Sequence, residues 1–458
     1  MSSNTIVVAR ALRRRGRNAP QTHSGPRVGS TVVVTIASSV SLAPSLLPRG
    51  SMTQALFSGI LVVVALAVTA AVRRLGRRSP RRGAGSETEL RLLALVVASA
   101  SVAVIGTVAH HWQSGLRLAM DMPAIGPRYW LEVLTGATTV VAFTTGIAHG
   151  VRVILRGLGR RGAIAVVAAA AALIWVGAAP AATRLTSAAG AAAGSAPPAA
   201  PGASGAPGSL VPWESLDAQG RRFAVGAAET SVRVYVGLGS APDPRARAAL
   251  AVRELQRTGG FDRGHLVVAV PTGSGWVDGR AVDGFEAAWG GDVAIVAHEY
   301  SDTPSWVTFL FDRGAATESA RALVDAVRQH LAALPSQRRP ALHVYGQSLG
   351  AIGGSAAFAD TEPGPCEALW VGPPAGAVRA GRATVLANSS DPVVWWQPSL
   401  LWSPPDLSHT RIDAPVPLWL PVVGFLQTTV DLIGSLDAAP GHGHRYGQDQ
   451  VRCAPDGR

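Results

Sequence analysis

Lysine is missing from this chain of 458 residues, so every one of its 41 basic positions is an arginine. Charge of any kind is scarce, at 15% of residues, and mean hydropathy is positive. Only two cysteines are present, and no set of Cys, His and carboxylate residues has the spacing of a metal centre. Basic excess is also missing where a nucleic-acid binder would need it. Residues 1–194 carry 21 Arg against 4 acids, whereas residues 195–458 carry 20 Arg against 25 acids. The net charge of +12 therefore belongs to the first part of the chain, and the second part offers no basic stripe for phosphates.

What is abundant is apolar length. Five stretches approach the roughly 20 residues that cross a bilayer: about 29–48, 53–72, 92–110, 130–149 and 162–182. The first is the weakest, because Pro44 and Pro48 interrupt its end. It begins far from Met1 and is followed at once by another apolar stretch, so it reads as a retained helix rather than a cleaved signal peptide. Arginines alternate between the connections: six in 1–30, seven in 73–91 and four in 152–161, against Arg49 alone in the first loop and Arg117 with Arg128 in the third. Positive charge marks the cytoplasmic side, so five crossings from a cytoplasmic N-terminus carry the rest of the chain outside. The arginine-rich loops would meet anionic lipid head groups.

The expected organisation is a basic N-terminus (1–30), a membrane domain of about five helices (31–185), an Ala/Gly/Ser/Pro tether (186–210) and a second domain (211–458). Within 211–458, apolar runs alternate with helical patterns. Strands are expected at 231–238, 266–271, 293–299, 341–345, 368–371 and 383–388, with helices at 244–257, 281–288 and 315–334. That alternation predicts an α/β fold, a mostly parallel sheet with helices on both faces. Residues 392–440 differ, with Trp395, Trp396, Trp402, Trp419 and Phe425 among many prolines. They read as a lid with a helix near 418–436, or equally as satellite core packing.

Gly346-Gln347-Ser348-Leu349-Gly350 fits the G-x-S-x-G pattern, which sets a serine on a sharp strand-to-helix turn. A short apolar strand precedes it and a small-residue helix follows, which is the context the pattern requires. Ser348 is the candidate nucleophile. The order Ser, acid, His then points to Asp391, just past the strand 383–388, although an Asp before a Pro is often a turn former. The histidine comes from Gly441-His442-Gly443-His444, where spacing does not separate the two candidates. His444 is preferred because it lies nearer the segment expected to resume helix at Tyr446. His298, His330, His343 and His409 are scattered singly and suit packing or surface roles, and His265, which opens the strand 266–271, suits a structural one. An oxyanion hole is expected from the Leu349 amide, with Gly273 and Ser274 of the Gly-rich loop 271–276 as candidates for the second donor.

Residues 258–263, 271–278, 346–351 and 441–444 together resemble a bacterial family of membrane-anchored α/β-hydrolases. The resemblance spans nearly the whole chain and implies a multi-helix membrane region joined to a serine hydrolase domain. It names no substrate. The expectation is hydrolysis of an ester or thioester, lipid-like, at an extracytoplasmic site on the bilayer, with no metal or organic cofactor implied. Acyl transfer to an alcohol would use the same residues. A channel or transporter with a regulatory outer domain is a different reading, opposed by the shortage of intramembrane charge apart from Glu132 near a helix end. A catalytically dead binding domain is a third. Oligomeric state is left open. Cys366 and Cys453 both fall in the part placed outside, where disulfides persist, and are expected to pair.

Overall fold

The computed structural model of the protein describes residues 27–75, 84–153, 196–227, 230–303, 308, 312–359, 363–364, 366–378 and 381–451. They divide into two units. One holds the described parts of Met1–Ala43 with Ser51–His110 and Pro127–Ile147, and the other holds Pro44–Gly50, His111–Gly126 and the described parts of Ala148–Arg458.

The helices of the N-terminal region are α1 Val28–Ser41, α2 Ser51–Leu75, α3 Ala84–Ala119 and α4 Pro127–Val153. The last three are long and apolar enough to cross a membrane, and they contain the stretches 53–72, 92–110 and 130–149. The stretch 29–48 does not form one span. Its helix ends at Ser41 after 14 residues, short of the length a bilayer needs, because Pro44 and Pro48 push the residues before them out of the helical region. The fifth stretch, 162–182, lies outside the described residues. Polar groups at these helix ends are engaged locally. The Ser51 hydroxyl donates to Glu132 at 2.6 Å, Arg128 donates to the same carboxylate at 2.7 Å, and the Gln54 amide donates to the Ser41 carbonyl at 2.9 Å. Glu132 is therefore part of a small cluster near a helix start.

The second unit is built on a seven-stranded sheet, parallel throughout, in the order β1-β3-β2-β4-β5-β6-β7. After helix α5 Ala218–Val225 come β1 Val232–Val236, α6 Pro244–Arg257, β2 His265–Val270, α7 Gly279–Ala288, β3 Val293–His298 and α8 Arg313–Ala333. Then follow β4 Ala341–Gln347, α9 Leu349–Ala356, β5 Ala368–Val371, β6 Thr384–Asn388, β7 Thr410–Arg411 and α10 Val423–Asp431. The central strands are nearly unbroken runs of Val, Ile, Leu and Ala, because helices cover both faces of a parallel sheet. Helix starts follow from local chemistry. Asp243 accepts the Ala246 amide at 2.8 Å ahead of Pro244, and Asp278 accepts the Arg280 amide at 3.0 Å. Crossover connections bring every loop that follows a strand to one edge, where groups for chemistry gather in open α/β sheets.

One expectation needs correcting here, and one of the two readings of 392–440, satellite core packing, finds support. The stretch read as a loose tether is docked from residue 196 on. Ala203 bridges Arg233 of β1, with the Arg233 amide donating to Gly202 O and the Ser204 amide to Arg233 O, both at 3.0 Å. Ala203 and Ala206 are buried, since side chains too small to build a core by themselves still fit against a finished one. Glu254 of α6 holds this segment by accepting from the Ser209 hydroxyl at 2.6 Å and the Leu210 amide at 2.9 Å. Residues 392–440 are likewise integrated: β7 extends the sheet, and Trp395, Leu400, Ala414 and Ala438 share a buried cluster with Leu46, Leu47, Leu116 and Met120. The helix expected near 418–436 is confined to 423–431.

Glu254→Ala should lower the stability of the protein by about 1–3 kcal/mol, because the Ser209 and Leu210 donors would lose their buried acceptor. Denaturant unfolding followed by tryptophan fluorescence measures it, and an unchanged midpoint would contradict the docking role.

Candidate active site

β4 ends in the G-x-S-x-G turn, and the backbone there is unusual. Ser348 has φ 54° and ψ −122°, a region that non-glycine residues avoid unless their surroundings impose it. The surroundings do so here. A Cβ on Gly346 would stand 2.3 Å from Gly350 O, and one on Gly350 would stand 2.2 Å from Val270 O at the end of β2. Only glycine permits these approaches, and with both in place the chain turns from strand to helix within one residue. The Ser348 amide donates to Val371 O of β5 at 2.9 Å, and its side chain is half-buried at the strand's end.

The next residue, Gly372, lies against the other groups. A Cβ there would stand 2.8 Å from Asp391 Oδ2 and 2.9 Å from His444 Cε1. Ser348 and the His444–Asp391 pair thus adjoin consecutive residues, Val371 and Gly372.

Asp391 is fully buried and follows β6 through Asn388, Ser389 and Ser390. Its two oxygens divide the readings that sequence left open. Oδ1 accepts the Val393 amide at 2.8 Å and caps the helical turn Pro392–Trp395, as a turn former would. Oδ2 lies 2.7 Å from His444 Nδ1 and accepts the Tyr446 hydroxyl, also at 2.7 Å. A carboxylate oxygen only accepts, so Nδ1 of His444 carries a proton, and in the neutral imidazole Nε2 is then the acceptor nitrogen.

The loop 441–446 is fixed from several sides. The His444 amide donates to Ser435 O at 3.2 Å, the Gly443 amide to the Ser390 hydroxyl at 2.8 Å, and the Asn388 side chain to Gly443 O at 2.8 Å. Gln347, next to Ser348, donates to His444 O at 3.2 Å. His442 goes elsewhere. Its Nδ1 lies 3.1 Å from Asp413 Oδ2, a carboxylate also bonded by the Ser389 and Ser390 hydroxyls. Each histidine therefore has its own acid, but only the His444–Asp391 pair adjoins the residue after the Ser348 amide's acceptor. The helix expected at Tyr446 reappears only as a short 3₁₀ turn at Gln448–Val451, and Tyr446 is instead buried against Asp391. Burial and the adjacent Asp391 push its phenol well above the usual tyrosine range.

The loop after β2 lies beside the turn through the Gly350–Val270 contact. The Thr272 amide donates to Trp276 O at 2.9 Å and the Gly275 amide to Thr272 O at 3.0 Å, which leaves Gly273 and Ser274 at the tip. Behind the loop stands Glu299, at the end of β3 and almost wholly buried, which accepts the Leu238 amide at 2.8 Å. Burial pushes the Glu299 carboxyl up to about 7, with the Asp217 carboxylate adding to the shift.

Tyr446, Asp413, Asn388 and Glu299 were not singled out from the sequence. Asn388 and Asp413 have a partial signal, lying at strand ends on the same edge as Asp391. Of the other histidines, His298 is buried with its imidazole pushed down to about 4 by desolvation, and it bonds Ser319. His265 and His343 are not single. They lie 3.1 Å apart and stack with Trp289, at strand starts far along the sheet from Ser348. Cys366, before β5, offers its carbonyl to His343 Nδ1 at 2.8 Å, while Cys453 lies outside the described residues, so the expected disulfide does too.

Glu299 generates a pH prediction. Its ordinary value is 4.5, so the folded protein holds a proton that the unfolded chain releases between pH 4.5 and about 7. Its contribution to stability is complete below pH 4.5 and is lost as pH rises through 7. His298, pushed down, acts in the opposite sense. Glu299→Gln should remove only the first slope, so the thermal midpoint of wild type should fall relative to the variant between pH 4.5 and 7. Parallel midpoint curves would refute the buried, protonated carboxyl.

Comparison with known families gives two matches. Residues 232–380 and 378–454 match a model described as "Alpha/beta-hydrolase family", and residues 42–227 match "Alpha/beta-hydrolase family N-terminus". No curated protein and no solved structure matches the chain.

Proposed function

The chain belongs to an alpha/beta-hydrolase family, and from that premise we propose that it is a serine hydrolase of esters or thioesters, lipid-like in character and met on the extracytoplasmic side of a membrane. The observation that carries the reading is the Ser348 backbone, held at φ 54° beside the buried His444–Asp391 pair. A strained conformation persists only where its surroundings impose it, and this one lies one residue from the glycine against which His444 and Asp391 pack.

In the proposed reaction, Ser348 Oγ attacks the carbonyl carbon while His444 Nε2 takes the hydroxyl proton. Asp391 keeps the ring in the required tautomer and balances the imidazolium, with Tyr446 as a second donor on the same oxygen. The carbonyl oxygen becomes an oxyanion facing the Leu349 amide, with Gly273 or Ser274 supplying the second donor. Collapse breaks the bond to the leaving alcohol or thiol, which takes the proton from His444. Water, deprotonated by the same nitrogen, then attacks the acyl-enzyme and releases the acid and Ser348.

A lipid-like substrate is supported by the apolar residues that 392–440 leaves exposed, among them Trp402, Leu418 and Ile433. The extracytoplasmic assignment is supported by connectivity. Pro44–Gly50 and His111–Gly126, in the arginine-poor connections, belong to the same unit as the sheet, and arginine-poor loops lie away from the cytoplasm.

Ser348→Ala should abolish labelling of the protein by a fluorophosphonate. Turnover of a p-nitrophenyl ester should fall by about 10⁴-fold in Asp391→Asn and by at least roughly 10³-fold in His444→Ala, whereas His442→Ala should stay within about tenfold of wild type. If His442→Ala is the silencing change, Asp413 and not Asp391 is the acid in use.

For topology, a cysteine replacing Pro207 should react with a membrane-impermeant maleimide in intact cells, above the background of the parent chain. One replacing Arg82 should react only after lysis. The reverse pattern would place the hydrolase domain in the cytoplasm.

A further inference from the structure

The loop Pro44–Gly50 follows α1, yet it lies with the histidine loop of the hydrolase domain. Leu47 is 3% exposed, and its Cδ2 stands 3.0 Å from where a Cβ on Gly443 would be, between His442 and His444. Gly443, at φ 56°, is also crowded by Ala438 Cβ at 3.0 Å and Ser435 O at 3.3 Å. Two residues after Leu47, Arg49 forms an ion pair with Asp431 at the end of α10, the two side chains 3% and 0% exposed. Arg49 Nε donates to Asp431 Oδ1 at 2.8 Å and Nη2 to Gln427 O at 3.0 Å, while the Leu46 amide donates to Asp431 Oδ2 at 2.7 Å. Four residues beyond Asp431, through a 3₁₀ turn at Leu432–Gly434, the Ser435 carbonyl receives the His444 amide.

The loop is itself braced. Trp112 donates to Ser45 O at 2.9 Å, Gln113 accepts the Arg49 amide at 3.0 Å and donates to the Ser45 hydroxyl at 2.8 Å, and Arg117 donates to Arg49 O at 2.9 Å. Burying a guanidinium and a carboxylate is costly unless both are fully paired, and removing either leaves an uncompensated charge.

We propose that Leu47 and Arg49 are positioning residues for His444: Leu47 braces the Gly443 turn directly, and Arg49, through Asp431, fixes the segment whose Ser435 carbonyl holds the His444 backbone. The proposal rests on the serine hydrolase reading for its consequence on rate, but the contact itself does not. The hydrolase site is then completed by a segment that precedes α2, which lies far outside the α/β-hydrolase domain in sequence.

The test uses the full chain in detergent and two readouts, the rate of Ser348 labelling by a fluorophosphonate and amide hydrogen exchange by mass spectrometry. Leu47→Ala and Arg49→Ala should slow labelling by roughly 10- to 100-fold, the cost of a small misplacement at a reacting group. Exchange should quicken in peptides covering 435–446 and stay at wild-type rates in those covering 265–270 and 341–347. Leu47→Met, which conserves volume, should restore both. Wild-type labelling together with unchanged exchange at 435–446 would overturn the proposal. So would a uniform rise in exchange across the sheet with no rescue by Met, because the loop would then serve stability alone. If wild type itself is not labelled, the hydrolase reading fails, and exchange at 435–446 by itself then decides whether 44–50 holds the histidine loop.

Discussion

A carboxylate with no contact with water must find every hydrogen-bond donor within the protein, and Asp391 is in that position. Its donors come from two separate stretches of chain, and a third makes room for them. The Val393 amide is local, His444 and Tyr446 arrive from more than fifty residues on, and Gly372 leaves the space in which all of them meet. Asn388, immediately before this group, offers its amide N–H to the Tyr446 hydroxyl and its side chain to Gly443 O. The edge formed by β5 and β6 and the histidine loop are therefore one hydrogen-bonded body.

Much of this was legible because it is local. The strands of the sheet follow from short apolar runs, and the observed bounds of helix 244–257 and strand 368–371 coincide with those expected from pattern alone. The turn at Ser348 was legible because glycine is enforced there by close backbone approach. What could not be read was long-range. His442 and His444 are alike in sequence, and their difference arises because Asp413, twenty-two residues past Asp391, captures one of them. Tyr446 looked like a helix start because nothing nearby announces that its hydroxyl is needed by Asp391. The docked segment 196–210 was misread for a related reason: composition reports that Ala and Gly cannot build a core, not that they fit against one. At 29–48 the prolines were visible, but hydropathy outweighed them.

An all-arginine chain also has consequences for its buried charges. A guanidinium presents a planar fork that an ammonium lacks, and this protein uses it repeatedly. Arg233, 3% exposed in β1, bonds both oxygens of Glu286 at 2.7 Å and reaches Asp283 at 3.2 Å. Arg411 in β7 spans Asn388, Asp449 and Gly441 O, tying the last strand to the start of the histidine loop. Arg49 does the same between Asp431 and Gln427 O. In each case one side chain joins two or three segments distant in sequence, which a single point charge does less well.

The segment docked on β1 has a consequence for the protein in company. β1 is the last strand on its side of the sheet, and a bare parallel edge is a template on which another chain can add a strand. Here the first places on that template are taken by Gly202 and Ser204. The stretch that takes them includes Pro197, Pro198, Pro201 and Pro207, none of which has an N–H to offer to a further strand. The outer edge of the sheet is thus covered at Arg233 by a short, proline-flanked stretch, which leaves a neighbouring molecule less of that edge on which to add a strand.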